Sequence, residues 1–92
     1  MNTELMNEKK KNTSTLIFDC LVYDFFVPEH NIVIMDTSTS DNITKVVTIA
    51  NECVQDALNI LKKLNESAYE VIGFTHFTHD KEQSVTTITL KV

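Results

Sequence analysis

Arginine is missing from this chain: all eight of its basic side chains are lysines, set against thirteen acids. Without a guanidinium fork the protein has no bidentate grip on phosphate, which argues against nucleic acid or nucleotide as its natural partner. Glycine is nearly missing too. Gly73 stands alone, so there is neither a P-loop nor a dinucleotide-binding fingerprint. The two cysteines, Cys20 and Cys53, lie far apart in apolar runs, with no spacing that suggests a disulfide framework or a zinc knuckle. They read as buried thiols in a reducing cytosol. No apolar run approaches the length of a membrane span, and the opening MNTELMNEKKKNTS has no apolar signal core. The expected location is therefore cytoplasmic, where the Asn-x-Ser/Thr matches at Asn12, Asn42 and Asn65 carry no meaning for glycosylation.

What is present is acid. The formal charge is −5, and the first thirteen residues hold Lys9, Lys10 and Lys11 against Glu4 and Glu8, so the remainder is the acidic part. Between Asn12 and Thr44 stand Asp19, Asp24, Glu29, Asp36 and Asp41 with no lysine among them. Such a stretch suits a meeting with a basic protein surface. Lysine without arginine, with abundant Asn, Ile and Thr, is also the residue usage of an AT-rich genome, such as that of a low-GC bacterium or its phage.

Ninety-two residues allow one domain with a thin stability margin that oligomerisation would help. Residues 1–13 lack apolar periodicity and read as a flexible tail, with 14–92 as a single α+β domain. The run from Thr15 to Val27 is β-branched and aromatic and stops at Pro28, which predicts a strand apolar on both faces. One of those faces would need a second layer, a partner protomer or a foreign protein. Ile32–Met35 predicts a second strand. Residues 44–49 could be strand or helix, and their β-branched content favours a strand. Val47, Ala50, Val54, Ala57, Leu61 and Leu64 recur at spacings of three and four, predicting a helix over about 50–65. Two more strands follow, Tyr69 to Thr78 and Ser84 to Val92, with Ile88, Leu90 and Val92 toward the core. Gly73 in mid-strand predicts a bulge or a close passage of the helix. The expected fold is α+β, a single helix packed on a mainly antiparallel sheet in the order β-β-(β)-α-β-β.

Chemistry-bearing constellations are few. His76 and His79, with His30 or a cysteine as a third ligand, invite a metal. Positions three apart on a strand project to opposite faces, however, so no metal and no cofactor is expected. Cys20 and Cys53 sit on apolar positions rather than in settings that favour a thiolate nucleophile. No acid pair or phosphate loop supports catalysis, and the protein is expected not to be an enzyme. The Lys9–Lys11 run lacks the interleaved aromatics of a nucleic-acid platform and reads as a solubilising tail.

The stretch Leu61-Lys62-Lys63-Leu64-Asn65-Glu66-Ser67-Ala68-Tyr69-Glu70-Val71-Ile72 resembles a family of short bacterial domains of unknown function. In that family a helix leads into a strand that opens with Gly-Trp-Glu-Leu-Val, and a last strand closes the sheet. Ala68 and Tyr69 stand here where the family has glycine and tryptophan. The resemblance covers about a third of the chain and implies topology, with no activity to carry over. In type, the small acidic chain is also similar to phage-encoded inhibitors of bacterial defence, including anti-CRISPR proteins, which often occupy basic grooves that a nuclease uses for guide or target.

The functional expectation is a non-enzymatic inhibitor acting in a host bacterial cytoplasm. Asp19, Asp24, Glu29, Asp36 and Asp41 would steer it to a basic protein, possibly a defence nuclease or ribonucleoprotein, and Tyr23, Phe25 and Phe26 would anchor it. Two alternatives stand beside it: an oligomer, such as a homodimer, that holds or sequesters a small ligand or nucleotide, and an α+β domain with a housekeeping role.

Overall fold

In a computed structural model, residues 13–67, 69–80 and 83–92 are described. The expected tail lies outside them except for Thr13, which is buried at the start of the first helix. That helix, α1, spans residues 13–24, and its last stretch, Cys20–Asp24, widens into a π-helix. A 3-10 turn at Glu29–Asn31 leads into β1 (Ile32–Asp36), followed by β2 (Thr44–Ala50) and the helix α2 (Val54–Glu66). The strands β3 (Glu70–Asp80) and β4 (Gln83–Lys91) complete the fold. The architecture is α+β as expected, but its order is α-β-β-α-β-β with two helices rather than one.

The difference falls on the expected strand over 15–27, which is helical. A strand would have set Leu16 and Phe18 on one face with Ile17 and Leu21 on the other. Instead Ile17 and Leu21, four apart, are fully buried, and Phe18, Val22 and Phe25 flank them half-buried against the same core. Leu16, Asp19 and Tyr23 turn outward. The burial period is that of a helix, and the tertiary contact of Ile17 and Leu21 overrides the β-leaning composition.

Each neighbouring strand pair is antiparallel, in the spatial order β1-β2-β4-β3. Strands β2 and β3 therefore run parallel, joined by α2, with β4 inserted between them. Register fixes which residues share a face. Val47 sits opposite Ile88 and Ile34, and Ile49 opposite Ile32 and Thr86, so these point into the core. From α2, Ala57, Ile60 and Leu64 meet them, and from α1, Ile17 and Leu21, in one apolar cluster that also takes in Val27 and Leu90. Both helices thus cover the same face of the sheet.

Helix α2 begins a turn later than expected, because Asn51 takes a left-handed conformation (φ 65°) and Cys53 caps the first turn. Val47 and Ala50 belong to β2, and Val54 and Leu58 are exposed, so the buried stripe of α2 is narrower than the sequence pattern suggests. Gly73 lies beside a bulge between Val71 and Gly73, as its mid-strand position implied. The close neighbour there is Thr89 of β4, not the helix: an added Cβ would meet the Thr89 Cβ and Oγ1 at 3.3 Å. Val92, expected in the core, ends the chain exposed.

The helical reading of α1 makes an unequal pair of substitutions. Ile17→Ala should cost about 3 kcal/mol of unfolding free energy, and Leu16→Ala less than about 0.5 kcal/mol. Urea denaturation of the two variants checks this, and equal losses would contradict the assignment.

Candidate binding surface

Helix α1 ends in a way that determines what the protein shows to its surroundings. The amide of Val27 donates to the Leu21 carbonyl at 3.0 Å, closing the helix with a cap one residue wider than a Schellman motif, as the π-helical turn requires. Val27 is buried, which satisfies the apolar contact such a cap makes with the preceding turn. The residue between helix and Val27 must then adopt left-handed backbone geometry, normally the place of glycine. Here it is Phe26, at φ 58°. A bulky side chain in that region is strained by about 1 kcal/mol.

The outcome is a phenyl ring that is 84% exposed, next to Tyr23 at 71%. Asp24 and Glu29 are exposed in the same seven-residue segment, and Asp19 is exposed one turn earlier on α1. Tyr23, Phe26, Asp24, Glu29 and Asp19 are thus exposed aromatic and acidic side chains within eleven residues of chain. Burial, and then the neighbouring Asp24 carboxylate, push the Cys20 thiol up from its ordinary range. Phe25 is not part of the exposed group: it is half-buried and packs against the core.

The remaining two acids lie elsewhere. Glu29 stands just before β1, Asp36 is the last residue of β1 and Asp41 follows it, so about 13 Å of strand separates Glu29 from the other two. Asp41 is exposed in the β1–β2 loop. Asp36 sits opposite Lys45 in the strand register and approaches its ammonium at 3.5 Å. Lys45 is only 1% exposed and the Asp36 side chain 45% exposed, so the acid neutralises a buried cation of its own chain. Hydrogen bonding from Ser38, through its side chain and its backbone N–H (2.9 Å to Oδ1), holds the Asp36 carboxyl below the usual range; the Lys45 charge adds to this and burial opposes it.

The histidines do not converge. The two ring nitrogens of His76 each lie 2.8 Å from a hydroxyl, Thr86 Oγ1 and Thr78 Oγ1, while His79 is exposed in the strand irregularity next to Asp80. Among the described residues no three His, Cys, Asp or Glu side chains are grouped so as to hold a metal ion. A cavity of about 700 Å³ opens at the start of α2, lined by Glu52, Cys53, Val54, Thr78, Asp80 and Ser84. The Cys53 thiol there is exposed rather than buried, contrary to the sequence reading. It donates to Asp56 Oδ2 at 3.2 Å and its sulfur accepts the Asp56 amide at 3.5 Å, so it serves as the helix cap. Burial, and then the nearby Asp56, push the Glu52 carboxyl up. Among the described residues no helix is long and apolar enough to cross a membrane.

Comparison of the chain with protein-family models, curated proteins and solved structures gave no match.

Two outcomes follow from this geometry. Phe26→Gly should raise unfolding free energy by about 0.5–1 kcal/mol, because it removes left-handed strain and forfeits almost no burial. Thermal unfolding measures it, and a destabilised variant would show that the ring packs. The depressed carboxyl of Asp36 contributes stability that is present above the unfolded carboxylate pKa and lost as pH falls through the lower folded value. Asp36→Asn should therefore cost about 1 kcal/mol near neutral pH, discounted for the exposure of the pair, and the difference from wild type should shrink as pH falls below the ordinary carboxylate range. Urea titrations across that range test the convergence.

Proposed function

We propose that this protein is a non-enzymatic binding protein that inserts the Tyr23–Phe26 corner of α1 into a basic protein surface. The observation that carries the reading is the strained, outward Phe26: a large ring is kept in water, on backbone geometry that costs stability, beside Tyr23. Exposed aromatics of this kind make good anchors, since they bring much contact area at little conformational-entropy cost. Asp24, Glu29 and Asp19 around them supply the charge that speeds and selects a cationic partner. Asp36 is engaged by Lys45 and Asp41 lies past the far end of β1, so the docking set reduces to Asp19, Tyr23, Asp24, Phe26 and Glu29.

A basic surface that accepts acids and aromatics is also one that accepts nucleic acid, since phosphates and bases present the same two features. The partner class is thus a nucleic-acid-binding protein, and the reading extends to an inhibitor of a bacterial defence nuclease or ribonucleoprotein that acts in the cytoplasm. The acid content of the chain and its lack of arginine are consistent with a protein that mimics nucleic acid rather than binding it.

The test is affinity capture from a bacterial host with mass spectrometry, using wild type, Phe26→Ala and the double variant Asp24→Lys/Glu29→Lys. Capture of a basic nucleic-acid-binding protein, weakened about 30-fold by Phe26→Ala and about tenfold or more by the charge reversals, is the expected result. Equal capture by all three would remove this corner as the docking site.

A further inference from the structure

The face of the sheet turned away from both helices has no described element over it. Register places its residues in rows across the four strands. Val33, Thr48, Thr87 and Thr75 form the central row, with Met35, Val46, Thr89 and Gly73 on one side of it. On the other side Ala50, Val85 and Phe77 line up. None of these eleven positions is charged. Charged side chains appear only at the two ends of the face, where Glu70 stands opposite Lys91 and, past a register shift, Asp80 stands opposite Gln83. Val33, Met35, Val85 and Phe77 are exposed on this surface, Phe77 at 65%.

A solvated antiparallel face ordinarily carries lysine and glutamate between its small polar residues. This one is threonine and valine with methionine and phenylalanine at its corners, and nothing on it could select a charged foreign partner. We infer that this neutral face of the β1-β2-β4-β3 sheet is the contact surface for a second copy of the chain, joined about a two-fold axis.

Three features identify the occupant as a second copy. Two molecules of net charge −5 repel through most of their surfaces, and the uncharged rows let them approach with the least electrostatic cost. An isologous contact also needs a self-complementary patch, and rows of threonine and valine meet themselves without unpaired charge. The area fits a weak, reversible self-association: four strands about 4.8 Å apart with about 23 Å of paired length give a face of roughly 440 Å², below the approximately 800 Å² per side of a standard interface and in the range of transient contacts. The two sheets would stack about 10 Å apart with their strands near −30°, as in aligned β-sandwiches, with helices on both outer surfaces. The aromatic corner at Tyr23 and Phe26 belongs to the helical layer, so the dimer would present two of them; this inference does not depend on their function.

Sedimentation velocity of the full chain tests it. The expected species has twice the 10.5 kDa of one chain, in reversible exchange with the single copy. Thr87→Lys at the centre of the face should weaken the association at least about tenfold, as should Phe77→Lys on its exposed margin, a site that the monomer fold tolerates. Both variants should keep the wild-type far-UV circular dichroism, and Asp24→Lys should leave the mass unchanged. A wild-type chain that stays at the mass of one copy at submillimolar concentration overturns the inference. A dimer that neither face variant weakens also overturns it, by placing the contact at a strand edge or elsewhere.

Discussion

The structure depends on one constraint: both helices must be buried on a single face of a four-stranded sheet. The central pair Val47 and Ile88 provides the floor, and Ile17, Leu21, Ile60 and Leu64 close over it. Among the described residues no element forms a third layer, so none of them covers the sheet's second face. The same constraint sets the end of α1. Val27 has to turn down into the core beside Leu21, and the turn that accomplishes this puts Phe26 into left-handed geometry and outward. The exposed ring is thus a by-product of core closure that a glycine would have avoided.

Charge is distributed in keeping with this division. Asp36 and Lys45 form an internal pair within the sheet, Glu70 and Lys91 are opposed at one end of the open face, and the exposed acids of α1 and the turn after it stand apart from both. The molecule accordingly has two surfaces of different character: a corner where acids and aromatics mix, and a neutral sheet face. The first is the surface we propose for a basic partner and the second the one we propose for a second copy.

Much of the fold was legible in the sequence. The four strands follow from alternation that the register confirms, above all in β4, where Thr86, Ile88 and Leu90 face the core while Val85, Thr87 and Thr89 face away. The single polar-apolar helix α2 was equally clear. The first helix was not, because Ile, Val, Tyr and Phe between residues 15 and 27 favour strand by composition. The contrary signal lay in spacing: Ile17, Phe18, Leu21, Val22 and Phe25 repeat with the helical period, and a strand would have put one of Asp19 and Asp24 on each of its faces. Of the eight candidate binding residues, Tyr23, Asp24, Phe26, Glu29 and Asp19 are local neighbours because they are close in sequence. Phe25 is drawn into the core and Asp36 is engaged by Lys45, contacts that no local pattern announces. The left-handed state of Phe26 could not be read either, since the residue type there argues against it.

The most direct test of the account is a methyl-selective nuclear Overhauser experiment on the intact chain, which reports which sheet face each helix covers. Methyl groups of Ile17 and Leu21 from α1, and of Ile60 and Leu64 from α2, should both show close contacts to Val47, Ile49 and Ile88. Contacts from α1 to Val33, Val46 or Val85 instead would place the helices on opposite faces, leave no bare sheet, and contradict the account.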